Sequence, residues 1–194
     1  MTSILKADNI QDADGNNIIN ENSNTITIGA SGDTISIPSG ATITNSGTAT
    51  GFGKIGQVIS ASTTTQSASS SSTFADVTNL SVAITPSASS SKILITVFCN
   101  GVGKETNNAY MGLRLLRGST DIALIDHLVG LNGGTASNYI GTSGIMYLDS
   151  PSTTSATTYK MQFNSEANNA TVYINRPNGA NVATSTITVM EVLA

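Results

Sequence analysis

Residues 24–53 read NTITIGASGDTISIPSGATITNSGTATGFG, and cutting after each Ser-Gly leaves NTITIGASG, DTISIPSG and ATITNSG. Each piece is a Thr-Ile-x-Ile core, or a shortened one, followed by a turn of small residues. Side chains alternate between the faces of a strand. In TITI and TISI the isoleucines therefore share one face and the hydroxyl residues the other. A strand of three or four residues is only about 10–13 Å long at 3.3 Å per residue. One or two isoleucines per turn cannot bury themselves, and a solenoid within one chain needs rungs of about 20 residues or more. Three chains can do together what one cannot. Each would supply one short strand per layer, with Ile26, Ile28, Ile35, Ile37 and Ile43 meeting on a shared threefold axis. The Ser-Gly corners permit φ > 0, and Pro38 at a corner loses little by lacking an N–H. The plain alternative is a β-meander packed on the rest of the chain.

The segment before the repeat holds Asp12, Asp14, Gly15 and Asn16, which hints at a calcium loop. A helix–loop–helix calcium site needs its Gly at position six and Glu at twelve. Here the Gly is fourth and the twelfth residue is Ser23, so the stretch reads as a turn.

Charge marks a boundary. Residues 1–53 carry Asp8, Asp12, Asp14, Glu21 and Asp33 against Lys6, a net of −4, while 54–194 carry seven acids and seven bases. The chain thus divides into an N-terminal attachment segment (1–23), a Thr-Ile stalk (24–54) and a larger C-terminal domain (55–194). Only 10% of the residues are charged, against about 25% in ordinary domains. The regular β-branched alternation argues against disorder. A net charge of −4 gives no reason to expect nucleic acid or an anionic membrane as partner, and no apolar run is long enough to insert in one. MTSILKADNIQDADG has no apolar signal-peptide core. The single cysteine, Cys99, excludes an intrachain disulfide and reads as a small core residue. Folding inside a cell, without signal-directed export, is expected.

Beyond Lys54 nine strand-like runs follow: 55–62, 73–86, 92–101, 108–118, 121–130, 138–151, 157–165, 170–177 and 185–194. Turn-forming residues separate them, which predicts a β-sandwich. RLLRGSTDIALI reads as a hairpin with Arg117–Thr120 as its loop. The low-complexity TTTQSASSSSTF (63–74) reads as a flexible loop. Alternation assigns the core to residues such as Val58, Phe74, Leu80, Ile95, Leu115, Phe163, Val189 and Val192. The fold class is all-β: a trimeric stalk of short strands, then a jelly-roll-like β-sandwich head.

Enzyme chemistry finds little support. His127 is the only imidazole, and its neighbour Asp126 would face the other way on a strand. No G-x-S-x-G turn is present. Asp121, Asp126, Asp149 and Glu166 could in principle supply a glycosidase pair, but a polysaccharide-cleaving solenoid needs a long groove and this chain is too short for one. A three-imidazole metal site would require His127 on a trimer axis; a hydrogen-bonded or exposed histidine is the simpler reading. No catalytic residue, metal or cofactor is expected.

The C-terminal run contains LDSP (148–151), TTSATTYK (153–160), VYINR (172–176) and STITVMEV (185–192). With FADVTNLSVAITPSASSSKILITV (74–97) these resemble phage tail-fibre and tail-fibre-like virion proteins. NTITIGASGDTISIPSGATI and TGFGK resemble the shaft of marine-phage-like fibres. Residues 98–140 depart from the pattern. The resemblance implies a homotrimer, fixed to another virion protein by its N-terminal end and made in the host cytoplasm. Its sandwich head would meet a host-surface glycan or protein during adsorption. A capsid-attached head fibre or decoration protein without a specific receptor is the alternative. Receptor sites usually lie on loops of a rigid scaffold. The candidates are Asn107, Asn108 and Tyr110, then Asn132, Asn138 and Tyr139, then Arg176 and Asn178.

Overall fold

The computed structural model describes residues 9–11, 13, 17–22, 25–29, 31–44, 46, 54–106, 109–129, 141–166, 170–176 and 181–193. The chain forms two compact units, Met1–Gly51 and Phe52–Ala194. Every described regular element is a strand.

In the first unit, β1 (Asn9–Gln11), β2 (Asn17–Asn22) and β3 (Thr25–Ile28) form an antiparallel meander. Its register places Ile10 beside Ile19 and Ile19 beside Ile28. TITI is thus a strand, as its alternation requires. The expected strands of DTISI and ATITN are not found: residues 33–38 and 41–44 carry no regular structure. The physical reason is that extended backbone becomes a strand only when a neighbour takes its hydrogen bonds. A tight turn does close between them, with Ala41 N–H donating to Pro38 O at 3.0 Å. Gly40 sits at φ 86°, the left-handed position of a type II turn. Of the turn expected at Asp12–Asn16 only Ala13 lies among the described residues.

The second unit is a two-layer β-sandwich. Its strands are β4 (Ile55–Thr63), β5 (Ser67–Ser69), β6 (Ala75–Ile84), β7 (Lys92–Lys104), β8 (Met111–Arg117), β9 (Thr120–Val129), β10 (Gly141–Asp149), β11 (Thr157–Ser165), β12 (Val172–Ile174) and β13 (Ser185–Val192). The first sheet runs β10–β7–β13–β4, with β12 and β5 carrying the β13 and β4 positions onward. The second runs β6–β11–β8–β9. All pairings are antiparallel, and the chain crosses repeatedly between sheets, as in an eight-stranded jelly roll. Each of the nine expected runs contains one strand. The predicted hairpin is β8–β9, with Arg117 paired to Thr120 and Gly118 at φ 60° in a two-residue turn.

The inward faces meet in one core, including Leu80, Ile84, Ile93, Ile95, Leu113, Leu115, Met161, Phe163, Ile174, Ile187 and Val189. Cys99 joins it, and burial pushes its thiol up to about 12. Three expectations need correction. Val58 is 57% exposed: in IGQVIS both phases of the alternation hold apolar residues. The inward phase is that of Gln57, because its amide bonds the buried Glu191 at 2.7 Å. Phe74 and Val192 are only half-buried. The supposed flexible loop contains β5, paired to β12. Ser67 is buried there and accepts from Thr78 N–H at 2.8 Å.

Strand directions give the sandwich two poles. At the first, the chain comes in at Lys54 and leaves at Leu193, whose N–H donates to Lys54 O at 2.7 Å. The connections 85–91, 118–119 and 150–156 join strand ends there. At the second pole lie 70–74 and, among the described residues, 105–106, 109–110, 166, 170–171, 175–176 and 181–184.

Candidate interaction surfaces

The motif residues turn out to be buried polar anchors. Asp149 of LDSP ends β10 and accepts from the Tyr159 hydroxyl at 2.6 Å and from Arg117 Nη1 at 2.9 Å. One carboxylate thus ties both sheets together at the first pole. Burial, then the bond to Asp149, pushes the Tyr159 phenol far above its ordinary range. Glu191 of VMEV is also buried. Its Oε1 accepts from both the backbone N–H and the hydroxyl of Ser87, each at 2.6 Å. Its Oε2 accepts from Gln57 at 2.7 Å. Burial alone would raise this carboxyl, but the Gln57 and Ser87 donors outweigh it and hold the group at about 2.

At the second pole, Asn175 of VYINR accepts from Ser185 Oγ at 2.6 Å and donates to Thr65 O at 3.0 Å. Beside it Gly101 stands at φ 58°, where a Cβ would come within 2.7 Å of the Ala183 methyl. Only glycine suits this point, where the strand beside β7 changes from β13 to β12. Sequence reasoning cited these motifs as family marks and missed their work. Short polar residues interrupting apolar strands were the available signal.

Of the receptor candidates, two lie among the described residues. Tyr110 is half-buried, and its carbonyl accepts from Glu166 N–H at 3.0 Å. Arg176 stacks its guanidinium 4.0 Å over the Tyr173 ring, which occupies one face of the group. Both belong to second-pole connections. Asn107, Asn108, Asn132, Asn138, Tyr139 and Asn178 lie outside the described residues, as do the side chains of Asp126 and His127. Among the possible acid pairs, Asp149 and Glu166 stand at opposite poles, while Asp121 is bonded to Arg114 at 2.6 Å. Among the described residues no group of three or more His, Cys, Asp or Glu is placed to hold a metal. No helix there is long and apolar enough to cross a membrane.

The two outer faces of the sandwich differ sharply. On the second sheet, Asp76 accepts from Lys160 at 2.9 Å and Gln162 at 2.6 Å. Those donors outweigh the cost of burial and hold Asp76 below its ordinary carboxylate range. Arg114 bonds Gln162 and Asp121 and stacks on Phe74 at 4.1 Å. On the first sheet the register gives three cross-strand rows over β4, β13, β7 and β10. They are Val58–Met190–Leu94–Leu148, Ser60–Thr188–Thr96–Met146 and Ser62–Thr186–Phe98–Gly144. None of these twelve side chains is ionisable. At the first-pole end of this face a cleft of about 380 Å³ is lined by Lys54, Ser90, Lys92, Leu148, Val192 and Leu193.

In the N-terminal unit, Ile26, Ile28, Ile35, Ile37 and Ile43 are each 48–65% exposed. One copy of the chain leaves all five in water.

No protein family and no curated protein matches the chain. Among solved structures it is similar to infectious bursal disease virus of the Gt strain, at 14% identity and a TM-score of 0.38. That match covers 87% of this chain and 47% of the other. The Gx strain of the same virus gives 13% identity and a TM-score of 0.34, over 71% of this chain and 40% of the other. The chain spans less than half of either viral chain.

Proposed function

We propose that this chain is a non-enzymatic structural protein of a bacteriophage particle: a homotrimeric tail fibre that takes part in adsorption to the host. Residues 1–23 attach it to another virion protein. The Thr-Ile repeat builds the shaft, and the second pole of the sandwich meets a glycan or protein of the host surface. The observation that carries this reading is the set of exposed isoleucines from Ile26 to Ile43. Their spacing of eight or nine residues suits a layered axis shared by three chains, and burying them there removes apolar surface from water. The motifs of the C-terminal part support the virion assignment. The placement of Tyr110 and Arg176, the two described receptor candidates, on second-pole connections supports the use of that pole, since the chain comes in at the other.

Light scattering on the full-length protein is expected to give three times the chain mass of 19.8 kDa. Ile35→Asp places three carboxylates on one apolar axis, so the mass should fall to that of one chain while the sandwich stays folded. A wild-type monomer, or an Ile35→Asp variant that remains trimeric, would overturn the shared axis. Gold labelling of intact particles checks the attachment: label on the tail agrees with the proposal, and label on the capsid replaces it with the head-fibre reading.

A further inference from the structure

We propose that the outer face of the first sheet is a packing face for a second copy of this chain, joined to it sandwich to sandwich. The inference is independent of the N-terminal axis.

The face is apolar where a solvent face is expected to be charged. Exposed positions of a soluble domain are about 25–35% charged, and even this domain's own sparse supply of ionisable residues would place one or two among twelve. These twelve hold none, although residues 54–194 have fourteen to place. Instead, Val58, Phe98, Met146 and Leu148 are 47–68% exposed. The row Val58–Met190–Leu94–Leu148 crosses all four strands without a polar atom in its side chains, apart from the thioether of Met190. Gly144 has no room for a Cβ, which would run into the Val97 carbonyl oxygen and lie 3.0 Å from the Phe98 ring, so the ring edge comes close to the glycine.

A second copy suits these twelve positions better than a charged partner, because they offer no ion to complement; the nearest cations, Lys54 and Lys92, stand at the first-pole end of the face. Its rows also match themselves. A twofold axis parallel to the strands, running between β13 and β7, lays each row on its own image. Val58 then faces Leu148 of the other copy, Met190 faces Leu94, and the hydroxyl row meets the hydroxyl row. Aligned stacking at about 10 Å is an ordinary way for two sheets to pack. Four strands at about 4.8 Å and roughly 20 Å of strand, for three rows two residues apart, give a footprint on the order of 400 Å² per copy. The pair then covers on the order of 800 Å², the size of a weak, transient contact. The association is therefore weak and depends on concentration.

The test uses the full-length chain in the Ile35→Asp background, where the proposed N-terminal axis is broken. Its mass is expected to climb from one chain to two as concentration rises. Adding Leu94→Lys should abolish the climb and leave the sandwich's circular dichroism and melting unchanged. In a Val58→Cys/Leu148→Cys variant, a short bis-maleimide should give a two-chain band. Within one copy these positions are three strand spacings apart, about 14 Å, which a short linker does not bridge. Cys99 is fully buried and does not compete. A folded variant that stays at one chain mass at all concentrations, or a two-chain band that survives Leu94→Lys, would overturn the proposal. Because the background removes the axis, failure here leaves the fibre reading standing, and failure of that reading leaves this one standing.

Discussion

The two units treat the same residue in opposite ways. Ile84, Ile93, Ile95, Ile174 and Ile187 of the sandwich are at most 1% exposed. Ile26, Ile28, Ile35, Ile37 and Ile43 of the N-terminal unit are exposed by about half or more. Both sets recur at alternate positions of their runs, as in TITI and KILIT, so local pattern does not explain the difference. A second layer does. A sheet has an apolar face that must be covered. The sandwich supplies its own cover, because its chain crosses from sheet to sheet. The N-terminal meander has three strands in one layer and, among the described residues, nothing laid over them within its unit. The sandwich covers its core within one chain; the described part of the N-terminal unit leaves its isoleucines exposed.

The largest expected effect breaks or upholds this contrast directly. Ile95→Ala opens a cavity in a packed core, and such changes cost about 2–5 kcal/mol. Ile26→Ala should leave the sandwich's unfolding within about 0.5 kcal/mol of wild type, as exposed substitutions do. Chemical denaturation followed by a probe of the sandwich checks both. If Ile26→Ala shifts that transition as much as Ile95→Ala does, the isoleucine is already covered by the sandwich and the contrast fails.

Acid sharpens the comparison next. Only a two-layered unit can give a buried carboxylate the donors that Glu191 has. Its folded value is held at about 2, below the ordinary 4.5. The folded state therefore favours the ionised form. The stabilisation is complete above about pH 4.5 and is lost as pH falls through about 2, with a size of ~2 kcal/mol. Unfolding midpoints between pH 6 and pH 2 should fall for wild type and fall less for Glu191→Gln. Equal slopes would mean that the Ser87 and Gln57 donors do not favour the charged form.

Much of the fold was legible, for a reason visible in particular residues. Runs such as KILITV and STITVM alternate cleanly and are bounded by Ser, Gly and Asn, so their strand character and inward phase follow from a period of two. IGQVIS was ambiguous because both phases are apolar, and the side facing inward is decided by Glu191, 134 residues away in sequence. The strand Ser67–Ser69 was hidden because serine has little strand preference. Its partners are Val172 to Ile174, about a hundred residues distant. The isoleucine repeat marked an alternating apolar face but not where strand pairing stops inside one chain. The candidate site was less legible. Residue type alone picks out Tyr110 and Arg176, yet it cannot show that Arg176 already lies on Tyr173. Nor could it reveal that Asp149, Asn175 and Glu191 are internal anchors, since burial is a property of the assembled sheets.

The smallest effect belongs to the charged outer face of the second sheet, the counterpart of the uncharged one. Asp121 bonds Arg114 at 2.6 Å, but its side chain is 53% exposed. Exposed pairs of this kind contribute about 0.2–1 kcal/mol, and less in salt. Arg114 also keeps its bonds to Gln162 and its stack on Phe74 when the carboxylate is gone. Asp121→Ala should therefore lower the sandwich's stability by less than about 0.5 kcal/mol, with the difference vanishing in high salt. Urea midpoints at low and high ionic strength measure it. The oligomeric mass should not change, because a face whose charges are already answered from within has no need of a second copy. If Asp121→Ala instead drives association, the ion pairs of this sheet are what keep copies apart, and the uncharged face loses its distinction as the packing surface.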